Sequence, residues 1–165
     1  MRKAIAIVAG LAVLGLANWT IWQREQLIAT GTVVRLELAP IDPRSLMQGD
    51  YMALRFRVAD EAFGRRGDKQ FEDGRIVVKV DEKGVSRFVR QDGGEPLAAG
   101  EVLMRYRVRD GKVKFATNAW FFQEGHAKFY ERARYGEFRV APSGEMLLTN
   151  MLNEKLERMG PPPPG

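Results

Sequence analysis

A short polar stretch near the end of the N-terminal third of the chain carries side chains that could do chemistry. Asp42, Arg44 and Asp50 lie close together in the sequence, with Ser45 between them. A carboxylate accepts hydrogen bonds from backbone N–H groups, and the planar fork of an arginine fits a carboxylate such as that of Asp50. These residue types predict either a binding loop for a ligand or partner, or a loop whose charged groups satisfy one another.

The prolines and glycine around these side chains predict irregular backbone. Pro40 and Pro43 fix φ and push the preceding residues away from helical geometry. Gly49 permits positive φ shortly before Tyr51. We therefore expect a proline-restricted crossing between two strands.

A second polar group follows the aromatic run at residues 120–122. Glu124 and Gly125 mark a turn, and Phe129 lies at helical spacing from Ala133, which predicts a short helix of two to three turns over 124–135. A helix dipole would favour Glu124 at its start. Alternatively, Glu124, His126 and Glu131 could form a polar site with the first loop.

The residue inventory limits the chemistry. The chain has no cysteine and one histidine, His126, whereas zinc sites usually need several such ligands. The carboxylates do not have EF-hand spacing. We predict no metal and no cofactor.

Serine catalysis is a remote alternative. The stretch from Ser45 to Asp50 faintly resembles the Ser-Met and Gly-Asp boxes of type I signal peptidases, although the spacing differs. Such a serine needs a desolvated lysine as its base. Lys79, Lys112 and Lys114 have charged neighbours, so we expect none of them to be buried.

The two polar groups together resemble the GDYXXLXY family of bacterial membrane-anchored proteins. The matching segments are Asp42-Pro43-Arg44 with Gly49-Asp50-Tyr51, and the later aromatic run with Glu-Gly. Phe56 stands where the motif ends in tyrosine, so a role that needs that hydroxyl is not implied here. The resemblance marks binding or fold-keeping residues: Asp42, Pro43, Arg44, Gly49, Asp50, Tyr51, Leu54, Phe56, Glu124, Gly125 and Glu131.

The N-terminus predicts a membrane anchor. Residues 4–22 carry no charge and as a helix span about 28 Å, close to a hydrocarbon core of about 30 Å. Trp19 and Trp22 fit an interfacial belt, and Arg2 and Lys3 should keep residues 1–3 cytoplasmic. A signal peptide cleaved after Ala17 is the alternative. We expect a single-pass protein of the bacterial cytoplasmic (inner) membrane, with a linker at 23–31 and the C-terminal domain outside, in the periplasm.

The remainder predicts a mainly β domain over 32–159. Apolar residues alternate over 32–38 and 51–58, and three hairpins pair 75–80 with 85–90, 102–108 with 112–116, and 137–140 with 146–149. We expect 60–73 to be a mobile excursion and 160–165 a proline-rich tail; 150–159 fits helix or strand. The predicted fold is mainly β, with antiparallel hairpins in a sandwich or partly open barrel, one short helix and the N-terminal transmembrane helix.

The charge composition argues against one class of function, nucleic-acid binding. From Gly31 onward the chain has 23 basic residues (26 less Arg2, Lys3 and Arg24) and 20 acidic ones (21 less Glu25). The resulting net charge of +3 is too small to indicate nucleic-acid binding. The family resemblance implies an integral membrane protein as partner, because relatives tend to be encoded beside polytopic membrane proteins. The leading hypothesis is an accessory or interaction protein. A binding module for a small ligand or envelope polymer is the alternative, and a signal-peptidase-like serine hydrolase is the remote one.

Overall fold

The computed structural model of the chain describes residues 2–39, 47–48, 51–64, 72–109 and 111–161, with side chains from Ile7 onward except at 47 and 48. Several residues of the first predicted site lie outside this description: Asp42, Pro43, Arg44, Ser45, Gly49 and Asp50. The side chains of residues 4–6, at the start of the predicted anchor, also lie outside it, as do residues 162–165 of the tail.

The chain begins with one long helix, α1 (Arg2–Thr30). Residues 23–30, which we predicted as a linker, continue this helix. It ends at Gly31, whose N–H donates to the Leu27 carbonyl at 2.9 Å. A Cβ at Gly31 would lie 2.5 Å from that carbonyl oxygen and 3.2 Å from the Arg139 Cβ, so only glycine fits this junction. Leu27 is buried, so the last turns of α1 belong to the domain.

Among the residues that the structure describes, no helix is both long enough and apolar enough to span a membrane.

Within the described ranges, ten strands and one further α-helix follow α1. In chain order they are β1 (Thr32–Glu37), β2 (Met47–Gln48), β3 (Tyr51–Ala53), α2 (Arg57–Phe63), β4 (Gly74–Val80), β5 (Ser86–Gln91), β6 (Glu101–Arg109), β7 (Lys112–Lys114), β8 (Ala119–Phe121), β9 (Tyr135–Val140) and β10 (Met146–Leu152).

The strands form three antiparallel sheets, in the orders β1-β9-β10, β2-β3-β8 and β5-β4-β6-β7. Single bridges join their edges, Arg35 to Val85 and Leu38 to Phe56. The sheets therefore curl as a half-barrel around one core. The alternating apolar residues of the strands fill that core, including Val34, Leu36, Met52, Phe56 and Phe138.

The three predicted hairpins are confirmed as β4–β5, β6–β7 and β9–β10. A register shift between Val77 and Val78 interrupts β4–β5, and another between Leu148 and Asn150 interrupts β9–β10. The undecided segment 150–159 continues β10 to Leu152 and then turns back, so that Arg158 bridges to Leu152.

The predicted strand over 51–58 is wrong after Ala53. β3 ends there, and α2 occupies residues that we assigned partly to the strand and partly to a loop. The predicted alternation in burial nevertheless holds, because Met52, Leu54, Phe56 and Val58 are all buried. Pairing of Phe56 with Leu38 ends the extended segment, and α2 then packs Val58 inward.

The predicted helix over 124–135 is also wrong. The structure has one 3-10 turn there, Ala127–Phe129. Gly125 adopts φ +79°, a left-handed conformation that interrupts helical geometry just before the turn. Tyr135 is the first residue of β9, which pairs with both β1 and β10. The end of the predicted helix is therefore part of a sheet.

Candidate functional site

The two sequence-predicted groups are brought together by the pairing of β3 with β8. Tyr51 lies opposite Phe121, and Met52 lies opposite Trp120. The Tyr51 and Phe121 ring centroids are 5.8 Å apart. The end of the first motif therefore lies beside the aromatic strand that leads into Glu124 and Gly125.

A buried aromatic cluster supports this ladder. Tyr130 is buried, its ring stacks on Phe122 at 5.4 Å, and it meets Trp120 edge-on at 5.9 Å. The Trp120 Nε1 is buried without a hydrogen-bond acceptor among the residues that the structure describes. Such packing holds β8 and the turn after it in a fixed relationship.

The face of the β3–β8 pair that carries Phe121 is exposed to solvent. Phe121 is 73% exposed, the highest value among the exposed large hydrophobic side chains of the described chain. Tyr51 beside it is half-buried. We call Tyr51 and Phe121 together the aromatic patch.

The acidic members of the second group lie at the surface. Glu124, Gly125 and Glu131 are all exposed, and within the described ranges neither carboxylate forms an ion pair. The His126 ring packs edge-on against Phe129 at 5.5 Å. Within the described ranges, no hydrogen bond or ion pair joins Glu124, His126 and Glu131 to one another.

Leu54 and Phe56 have structural roles. The Leu54 N–H donates to the Asn118 carbonyl at 2.7 Å, which ties the first motif to the turn before β8. Phe56 is 1% exposed and packs edge-on against Phe138 at 5.3 Å and Phe115 at 6.5 Å. An apolar ring suits this position, which explains how the chain accommodates Phe where the motif has Tyr.

A buried charge cluster was missed by the sequence analysis. Glu137 is buried on β9, and its Oε2 accepts hydrogen bonds from Nε and Nη2 of Arg35 at 3.1 and 3.0 Å. Its Oε1 accepts from Asn150 Nδ2 at 2.9 Å and lies 3.6 Å from Arg158 Nη2. Arg35 lies on β1 between the buried Val34 and Leu36, so alternation alone predicts that it faces the other side of the strand. Only the pairing register reveals Glu137 as its partner.

Two carboxylates, the partly buried Glu101 and the exposed Asp73, have lowered pKa values. The pKa of Glu101 is lowered by a hydrogen bond from the Ala98 N–H and by one from Arg90. The pKa of Asp73 is lowered by the Val108 N–H and by Arg109. Glu101 thereby fixes the loop before β6, and Asp73 fixes the end of β6.

The metal and hydrolase hypotheses gain nothing from the described residues. These contain no group of three or more His, Asp or Glu side chains placed to hold a metal ion. Ser45 lies outside them, while Lys79 and Lys112 are exposed and Lys114 is partly buried.

Together these features define a mainly β domain that carries a long N-terminal helix and an aromatic, motif-derived surface. A family model described as "GDYXXLXY protein" matches residues 13–151. The chain therefore belongs to the GDYXXLXY family, as its motifs predicted. No curated protein and no solved structure matches the chain.

Proposed function

We propose that this chain is a membrane-anchored, outward-facing accessory protein that binds an integral membrane protein. The exposed apolar surface of α1 is the observation that carries the proposal. Nine large apolar side chains of α1 are each between 50% and 68% exposed: Ile7, Val8, Leu11, Val13, Leu14, Leu16, Trp19, Ile21 and Trp22. At 3.6 residues per turn they surround the helix, and a helix that is apolar all round is normally buried in lipid or protein.

The polar side chains within this stretch support the same proposal. Asn18 Nδ2 donates to the Leu14 carbonyl and Thr20 Oγ1 to the Leu16 carbonyl, each at 2.9 Å. Polar groups satisfied within their own helix cost less in hydrocarbon. The Trp19 and Trp22 rings, 5.3 Å apart, suit the membrane–water interface.

The orientation follows from charge. Arg2 and Lys3 precede the apolar stretch, so the positive-inside rule places the N-terminus in the cytoplasm and the β domain outside, in the periplasm. Because α1 continues into the domain without a break and Leu27 packs there, the domain is held close to the membrane surface. A rigid connection of this kind suits a protein that works against a membrane-embedded partner.

The aromatic patch is the surface we assign to that partner. Exposed aromatic side chains are enriched at protein interfaces, and the buried cluster behind Phe121 fixes its strand in advance of binding. In this proposal α1 anchors the chain in the membrane, and the aromatic patch binds the partner.

Membrane fractionation tests the anchor. The wild-type chain should stay in membranes after an alkaline carbonate wash and be released by mild detergent. A Leu11→Arg/Leu14→Arg double variant should move to the soluble fraction, because each buried charge costs about 2.5–3.5 kcal/mol. Ile28→Arg, also on an exposed apolar residue of α1 but beyond the apolar stretch, is the matched control and should remain bound.

The absence of cysteine makes orientation directly measurable. A single Glu124→Cys variant should react with a membrane-impermeant maleimide added from the periplasmic side, whereas a cysteine inserted directly after Met1, in the proposed cytoplasmic end, should not. Labelling of both or neither under these conditions would contradict the proposed topology. Co-purification from mild detergent should then recover an integral membrane protein with the tagged chain.

A second candidate function is favoured by the same exposed ring. A small ligand or envelope polymer could stack on Phe121 beside Tyr51, since an aromatic ring offers a flat apolar surface with defined stacking geometry. Retention of the detergent-solubilised chain on immobilised envelope polymer, lost on Phe121→Ser, would support this candidate over a protein partner.

A further inference from the structure

A groove between α1 and the strands β6, β7 and β10 concentrates positive charge. It is lined by Arg24 of α1, by Arg105, Arg107 and Arg109 of β6, and by Lys114 of β7. Met146, Leu147 and Leu148 of β10 contribute apolar surface to it. From this arrangement we propose that the groove binds a phosphate group, either on the headgroup of an anionic phospholipid or on a free phosphate ion.

The register of β6 and β7 sets like charges directly opposite one another. Arg107 pairs with Lys114, and Arg109 pairs with Lys112. Residues that face each other across an antiparallel ladder share one side of the sheet, and like charges there are destabilising. The neighbouring positions Met104 and Tyr106 point into the core, so the alternation of β6 directs its arginines outward.

Only part of this charge is neutralised within the described chain. Arg109 makes a two-pronged contact with Asp73, at 3.0 and 3.2 Å, and Arg105 Nη1 lies 3.7 Å from Glu145 Oε1. Among the residues that the structure describes, no carboxylate lies within ion-pair distance of Arg24, Arg107 or Lys114. A bound anion would remove the repulsion that the ladder otherwise carries.

The composition of the groove fits a phosphate. Guanidinium groups offer planar, paired donors for phosphate oxygens, and a lysine adds a mobile charge. The groove has a volume of about 420 Å³, enough for a headgroup-sized ligand.

The lipid source rests on the proposed function. Arg24 lies two residues after Trp22, the end of the apolar stretch, so an anchored chain would hold the groove at headgroup level. Basic side chains beside an anionic leaflet gain electrostatic attraction that fades within about 10 Å at moderate salt.

Native mass spectrometry of the full chain in mild non-ionic detergent tests the proposal. Phosphatidylglycerol and phosphatidylcholine are titrated in separate samples, and inorganic phosphate is titrated by calorimetry in the same detergent. We expect tighter binding of phosphatidylglycerol than of phosphatidylcholine. Arg107→Gln/Lys114→Gln should weaken it about fivefold for each charge removed, roughly 25-fold in all.

The controls distinguish a loss of charge in the groove from a loss of folding, and a phospholipid ligand from free phosphate. Arg87→Gln/Arg132→Gln removes two exposed basic side chains outside the groove and should leave binding unchanged. The groove variant should keep or raise the thermal midpoint, since it removes a like-charge pair. Binding of inorganic phosphate without a phosphatidylglycerol preference supports the phosphate site and rejects the lipid source.

Two results would overturn the phosphate site. One is that neither ligand binds, and the other is that the groove variant and its control weaken binding equally. A chain found in the soluble fraction would reject the anchor and the lipid source. The inorganic-phosphate titration would still show whether the groove binds phosphate.

Discussion

Glu137 and Arg35 face each other directly across β9 and β1, and their buried ion pair joins the two strands at the centre of their sheet. Arg35 also donates to the Lys83 carbonyl in the β4–β5 turn. One arginine thus connects the first sheet to a hairpin of another. Removing the partner of a charge in such a position strongly destabilises the folded state.

We expect Glu137→Leu to lower the free energy of unfolding by about 3–5 kcal/mol, because it leaves Arg35 unpaired and partly buried. Adding Arg35→Met to this variant should recover part of the loss. Chemical denaturation of the two single variants and the double variant measures the coupling. Glu37→Gln, in an exposed pair with Arg57, is the control and should cost at most about 1 kcal/mol. Additive effects at Arg35 and Glu137 would contradict the assigned role.

Phe56 should tolerate neither truncation nor a hydroxyl group. Phe56→Ala should destabilise the domain by about 3–5 kcal/mol through loss of buried contacts. Phe56→Tyr should cost about 1–3 kcal/mol, since its hydroxyl would be desolvated. Thermal unfolding of both variants provides the measurement. A neutral Phe56→Tyr change would mean that an acceptor for the motif's usual tyrosine is still present.

Phe121→Ser should abolish co-purification of the proposed integral membrane partner while shifting the thermal midpoint by less than about 2 °C. The ring is largely exposed, so its removal costs the fold little. Leu97→Ser, at another exposed large apolar residue, is the matched control. Recovery of the partner at wild-type yield with Phe121→Ser would exclude the aromatic patch as its binding surface.

Acid should destabilise the domain partly through Glu101. Its pKa is lowered in the folded chain, so the folded state binds fewer protons than the unfolded one. The resulting stabilisation is complete above the ordinary value of 4.5 and is lost as the pH falls through the folded value. Thermal midpoints recorded from neutral pH downward should therefore fall less steeply below that value for Glu101→Gln than for wild type. Glu82→Gln, in an exposed turn, should retain the wild-type slope.

Local patterns determined much of this protein. Alternation at 32–38 and 51–58 correctly predicted that Val34, Leu36, Met52, Leu54 and Phe56 are buried, because the side-chain period of extended backbone is a local property. Val58 is buried as well, but from α2. The turn residues likewise placed three hairpins. The motifs at 42–51 and 120–125 were sufficient for the family assignment, which the match over 13–151 confirms.

Tertiary pairing decided the rest. Whether residues 57–63 are strand or helix depends on Phe56 meeting Leu38, and whether 124–135 is helical depends on β9 pairing on both sides. The contact of Tyr51 with Phe121, the Arg35–Glu137 pair and the basic groove each join residues far apart in the chain. Such contacts depend on strand register and on where α1 docks, which no local spacing encodes.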